Sequence, residues 1–292
     1  MMDKVRNYLR ENPFILILLI IFLVGSAGYG IYQIVYHTNN AKHQDAYEKL
    51  WENAVVNVMI PIETEEQEEE KHIPTPVEEF LAVGDNQIKY GMYLREGALD
   101  FEVLWEYNQD VVGYIMIPGT KVSYPILRSE DNEYYLHHNM DGSRGYPGCI
   151  YMENYNAADF EDSLTILYGH NMRNNSMFGT LEEYKFEEYR LENPYIIIYL
   201  PEETRVYEVV VTSKYSNEHL LADNFIKEAD DTFTFCGLNG NENLEFIDDI
   251  KDYGAYGAYV DSSNVEAEDK IIVLSTCTSH DMRYIVGAKR IL

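Results

Sequence analysis

The chain has 292 residues, 46 % of them apolar, enough core for one large domain with appendages or for two small domains. Its 50 acidic and 22 basic residues give a formal charge of −28, which excludes nucleic-acid recognition, since that needs clustered Lys and Arg against phosphate. The acidity reads as solubilising surface and spacer, and it favours basic partners.

The first stretch, "MMDKVRNYLRENP", carries Lys4, Arg6 and Arg10. Residues 14–36 follow as 23 positions without a charge, about 34 Å as a helix and enough to cross a bilayer. Basic sequence before this run and acidic sequence after it place residues 1–13 in the cytoplasm, residues 14–36 in the membrane as an anchor, and the remainder outside. A signal peptide cut near Ser26-Ala27-Gly28 is the rival, but apolar sequence continues past that site to Tyr36 and favours an uncleaved anchor. Residues 38–60 have helical character. Residues 61–76, "PIETEEQEEEKHIPTP", are acidic, proline-flanked and too poor in apolar side chains to offset their ordering entropy, so they read as an extended spacer. Residues 37–95 thus form an extracellular stalk, and residues 96–292 the main domain.

Within that domain Phe101, Leu104 and Trp105 recur at helical spacing and predict an amphipathic helix docked on the following sheet. After Gly113 the pattern turns to short β-rich runs: residues 114–117, 164–168, a hairpin over 195–211 turning at 201–204, then 270–277 and 284–292. "NENLEFIDDIKDYGAYG" predicts a short helix with Leu244, Ile247 and Ile250 inward. Many short strands, few helices and no internal repeat point to a mainly β fold closed as a barrel.

Cys149, Cys236 and Cys277 are irregularly spaced and form no CxxC, so they make neither a disulfide framework nor a metal motif. The first two read as small buried apolar groups, with a Cys149–Cys236 bridge as the lesser alternative. Cys277 ends an apolar run in "KIIVLSTCTSHDMRYIVGAKRIL", and Arg283 opens the next after five intervening residues. At a strand end a side chain meets solvent while the sheet holds its backbone. A nucleophilic cysteine needs that exposure, a proton partner and a donor for the developing oxyanion, and a permanently charged guanidinium suits the last task.

Of eight histidines, His37, His43 and His72 lie in the stalk, His137 and His138 in the polar "EYYLHHNMDG", and His219 in the loop-like "NEHL". His280 is too near Cys277 in sequence to face it across a turn. His170 follows the run at 164–168 and a glycine, in "LTILYGHNM", and so lies at a strand end like Cys277. On residue pattern alone, two readings stay open: a Cys–His–Arg site at one barrel rim, or a packed core thiol and an unrelated turn histidine.

"LSTC" followed by Arg283 and an apolar strand resembles the TLxTC…R signature of sortases, with Leu274, Ser275, Thr276 and Cys277 in register and Val273 where the family has Thr. "LYGHNMRNNSMFGTL" resembles the histidine segment of class B sortases. "NQDVVGYIMIPGTKVSYPIL" and "DNEYYLHHNMDGSRGYPGCIYMENYN" are similar to its first barrel strands and following loop, and a helix at 241–253 matches its addition before the cysteine strand. The resemblance spans about residues 96–292.

It implies a mainly β, eight-stranded sortase-type barrel with an N-terminal helix and a short helix before the cysteine strand, beside the single transmembrane helix. It also implies a membrane-anchored cysteine transpeptidase of the Gram-positive cell surface, with Cys277 as nucleophile, His170 as general acid/base and Arg283, rather than Arg290, stabilising the oxyanion or orienting substrate. No cofactor or metal is expected. The implied partners are secreted proteins with an NPxTN, SPxTG or LPxTG-like sorting signal and a peptidoglycan precursor or cross-bridge amine. Ser275 and Thr276 are expected to line the substrate groove and Asn171 to position His170, with ordinary strand or turn packing as the alternative for each. Met177 and Phe178 read as core. The competing functions are a pilin-polymerising sortase and a non-catalytic surface β-barrel that binds peptide or wall.

Overall fold

A computed structural model of the chain describes Arg10 and residues 12–55, 75–94, 98–229, 231–279 and 281–292. The expected acidic spacer falls outside these residues except for Thr75 and Pro76, as do His72, His280 and the N-terminal stretch apart from Arg10, Asn12 and Pro13. The chain divides into two compact units, Met1–Ala46 and Tyr47–Leu292.

The first unit holds most of helix α1 (Pro13–Ala54), whose 42 residues make it long and apolar enough to cross a membrane by length and composition. The run predicted from residue 38 continues this helix instead of starting a new one. In the second unit, Tyr47, Leu50 and Ala54 share one face of the last turns of α1 and are buried. Thr75 and Glu78 then form a capping box that opens a short helix, Pro76–Leu81. Phe80 from that helix and Tyr90 from the next, Asn86–Tyr90, meet the Tyr195 ring at centroid distances of 5.1 and 5.3 Å. Residues 47–54 and 75–94, which composition assigns to a stalk, therefore pack within the main unit. Helix α2 (Phe101–Tyr107) lies where its periodicity predicts, capped by Asp100 and burying Phe101 and Leu104.

Among the described residues eleven strands follow: β1 (Val111–Met116), β2 (Ser123–Leu127), β3 (Ile150–Met152), β4 (Leu164–Tyr168), β5 (Tyr195–Tyr199), β6 (Thr204–Ser216), β7 (Phe225–Lys227), β8 (Phe233–Phe235), β9 (Tyr259–Val260), β10 (Ile271–Ser279) and β11 (Met282–Arg290). Pairing runs β1–β2–β3–β4–β10–β11–β6–β5 and returns to β1, which closes an eight-stranded barrel. The β2–β3 and β4–β10 pairs are parallel and the others antiparallel. Strand β9 adds to β6, while β7 and β8 form a separate hairpin. Closure leaves no free edge around the barrel wall. Tyrosines supply much of the buried surface: Tyr114, Tyr124, Tyr184, Tyr199, Tyr207 and Tyr284 are fully buried, and Tyr47 and Trp51 at the end of α1 cover Tyr124, Tyr114 and Tyr199.

Helix α3 (Glu242–Tyr253) precedes the cysteine strand and ends at Gly254, whose φ of 57° is the left-handed C-cap that glycine adopts without strain. It buries Phe246, Ile247 and Ile250, while Leu244, expected inward, is half-buried. Phe246 takes that place because Gly287 on β11 leaves room for it: a Cβ there would lie 2.9 Å from the ring. All three cysteines are free. Cys149 is buried as expected, but Cys236 is exposed, since it lies just beyond β8 in the small hairpin and not in the barrel.

Candidate active site

Strand β10 carries Cys277 near its end, and pairing on both sides decides what stands beside it. On one side β4 runs parallel, with Ser275 opposite Tyr168. Beyond β4 the chain stays alongside: Gly169 N donates to Ser275 O at 3.2 Å, Thr276 Oγ1 donates to Gly169 O at 2.7 Å, and Asn171 Nδ2 donates to Cys277 O at 3.0 Å. The segment bearing His170 is thereby laid next to Thr276 and Cys277. On the other side β11 runs antiparallel, and Cys277 is directly paired with Arg283. Paired residues share a face, and side chains alternate along a strand. Tyr168, Ser275, Cys277 and Arg283 therefore project together, and Cys277 is exposed.

Arg283 is held on three sides. Nε donates to Asn217 Oδ1 at 2.9 Å, Nη1 reaches Ser275 Oγ at 3.5 Å, and Cζ lies 5.5 Å from the centroid of the Tyr168 ring. Arg290, the alternative, sits about 24 Å further along the extended strand and is paired with Glu161 at 2.8 Å.

The His170 Nε2 atom lies 2.8 Å from Leu136 O. A carbonyl can only accept, so this bond assigns the hydrogen to Nε2 and leaves Nδ1 as the nitrogen that gains and loses a proton. The Tyr146 ring covers the imidazole at a centroid distance of 4.9 Å. Burial pushes the His170 pKa below its ordinary 6.5; the Leu136 carbonyl works against this and the neighbouring His137 adds to it. Gly169 has no space for a side chain, since a Cβ would meet Ile150 Cδ1 and lie 2.8 Å from the Phe178 ring. A thiol beside a guanidinium, with a buried imidazole on the adjacent segment, is equipped for acyl transfer through a thioester.

The sequence model of the sortase domain family matches residues 115–291. The chain belongs to the sortase family. Among curated relatives, it is 31 % identical over 209 residues to sortase B of Listeria monocytogenes serovar 1/2a, covering 72 % of this chain and 79 % of the relative. It is 30 % identical over 177 residues to sortase B of Staphylococcus aureus, covering 61 % and 67 % respectively. The crystal structure of Clostridium perfringens sortase B superposes with a TM-score of 0.54 at 25 % identity, covering 65 % of this chain and 99 % of that one. These matches make it a class B sortase, and sortases are cysteine transpeptidases.

Three lesser expectations for this sortase need correction. Thr276 does not line a groove; it is buried and ties β10 to the His170 segment through Gly169 O. Ser275 is also buried and lies beneath Arg283. Asn171 secures the Cys277 backbone and not the imidazole. Met177 and Phe178 are core residues, fully buried as expected. Residue pattern misses Leu136, in the short helix Tyr134–His137, and Tyr146 and Asn217 in loops, which orient the histidine and the arginine. His219 lies in a loop as read, and from there it pairs with the buried Glu153 at 2.9 Å.

Gly169→Ala in this sortase is expected to cost about 1–3 kcal/mol, the usual penalty of overpacking. Because Gly169 immediately precedes His170, kcat should fall with the melting temperature. A thermal melt and a turnover assay on the same sample check both.

Proposed function

We propose that Cys277 is the nucleophile, His170 the general acid/base and Arg283 the group that stabilises the oxyanion. The carrying observation is the pairing of Cys277 with Arg283 across β10 and β11, beside the segment that bears His170. The Cys277 thiolate attacks the carbonyl carbon of a threonine in a C-terminal sorting signal, and the Arg283 guanidinium offsets the charge on the carbonyl oxygen. The C–N bond breaks as His170 gives its proton to the leaving amine, and a thioester to Cys277 remains. A cell-wall amine then attacks the thioester and loses a proton to His170, and the departing thiolate restores the enzyme.

Sorting-signal proteins and cell-wall precursors are the partners on which sortases act, and NPxTN, SPxTG and LPxTG-like motifs are the candidate signals here. The N-terminal part of α1 is apolar on all sides, which suits lipid better than water. We assign residues 1–13 to the cytoplasm, 14–36 to the membrane and 96–292 to the extracellular catalytic domain; residues 37–95 connect the two, and their parts at 47–54 and 75–94 pack on the catalytic domain.

The test is a panel of fluorogenic peptides with those three motifs, run on the full-length protein in detergent with and without an amine acceptor. Cleavage of one motif, with product shifted to the amine adduct when acceptor is present, is the expected result. Silence across the panel, from a protein whose Cys277 still alkylates, would overturn the reading.

A further inference from the structure

Glu153, just after β3, is completely buried, and no step above uses it. A carboxylate taken out of water persists only where donors surround it. Here Asn132 Nδ2 lies at 2.5 Å, the Tyr168 hydroxyl at 2.8 Å and His219 Nε2 at 2.9 Å. Burial opposes its charge, but His219, Asn132 and Tyr168 outweigh that and keep its pKa below the ordinary carboxylate value.

Two of these donors also lead to Arg283. The face of the Tyr168 ring lies 5.5 Å from the guanidinium carbon, within cation–π range. A phenol that donates to a carboxylate has a more electron-rich ring, so Glu153 strengthens that attraction. His219 lies two residues after Asn217, whose side-chain oxygen takes the Arg283 Nε hydrogen. The carboxylate thus holds both the ring beneath the guanidinium and the segment that grips its edge. Among the described residues Nη2 of Arg283 has no partner, so it stays available to a developing oxyanion.

We propose that Glu153 is a positioning residue for Arg283, acting through Tyr168 and through the His219–Asn217 segment. The inference rests on the reading of Arg283 given above.

The experiment is a double-mutant cycle on the full-length protein, using the fluorogenic peptide that the wild type cleaves fastest. Glu153→Gln is expected to lower kcat/KM about tenfold, while the same change in an Arg283→Ala background alters the residual rate less than about twofold, since residues acting through one another are not additive. Tyr168→Phe keeps the ring and removes only the hydroxyl link, so it guards against a Glu153 variant that fails to fold. It should lower kcat/KM about threefold and likewise lose its effect without Arg283. Iodoacetamide should still alkylate Cys277 completely in each variant, which shows that the thiol is present and accessible. Equal fold losses in both backgrounds would overturn the positioning role and leave Arg283 as a catalytic group. Full activity in Arg283→Ala alone would instead remove the reading on which the inference stands.

Discussion

Cys277→Ala is expected to abolish peptide cleavage and the covalent adduct together, with a loss on the order of 10⁶ where a nucleophile is deleted from an acyl-transfer site. Neither remaining thiol can replace it. Cys149 is buried, hydrogen-bonded with the Tyr47 hydroxyl, and burial pushes its pKa up to about 12, so thiolate is scarce there at neutral pH. Cys236 is exposed, but it stands beside the β7–β8 hairpin and lacks the β10 pairing that gives Cys277 its guanidinium neighbour. Because Cys277 is itself exposed, its removal should leave the melting temperature nearly unchanged, which separates loss of chemistry from loss of fold. Intact-mass measurement after incubation with substrate peptide decides the matter. The wild type should gain the acyl fragment, mapped to the peptide containing Cys277, and the variant should gain nothing. An adduct that persists in the variant would move the nucleophile elsewhere.

The Cys277–Arg283 pair is legible in the amino-acid sequence because a short polar insert between two apolar runs is what a hairpin requires, and the hairpin brings its flanks into register. The same logic sets Arg290 apart, since seven further residues of strand carry it away from Cys277 to where Glu161 meets it. Strand alternation also argues against both Ser275 and Thr276 lining one groove, because consecutive side chains face opposite ways. The pattern 244, 247, 250 in α3 is as regular as the 243, 246, 247, 250 face the helix uses; what separates them is the hollow at Gly287, more than thirty residues later. Glu153 is beyond any local reading. In "IYMENYN" it looks like an ordinary acid after a strand, and its burial depends on Asn132, Tyr168 and His219 converging from 21, 15 and 66 residues away. The orientation of His170 is hidden for the same reason, since its fixed nitrogen answers to a carbonyl 34 residues earlier.

That orientation carries the second large expectation. His170→Ala should lower turnover about 10²–10⁴-fold, the range for a positioned acid/base, while iodoacetamide still alkylates Cys277. Alkylation needs only the thiolate, whereas acyl transfer also needs a proton delivered to one amine and taken from another. Hydrolysis of a preformed thioester isolates the second half: neutral imidazole must accept a proton from water through Nδ1, because Nε2 is committed to Leu136 O. Burial disfavours imidazolium and sets the folded pKa below 6.5, so the base form persists as the pH falls through the ordinary histidine range. The acid limb of the wild-type hydrolytic rate should therefore have its midpoint below pH 6.5, and the limb should vanish in His170→Ala. Opening the cover by Tyr146→Ala admits water to the ring and should move the limb upward toward the ordinary value. A wild-type limb at or above 6.5, or one that survives in His170→Ala, would assign the proton transfer to another group.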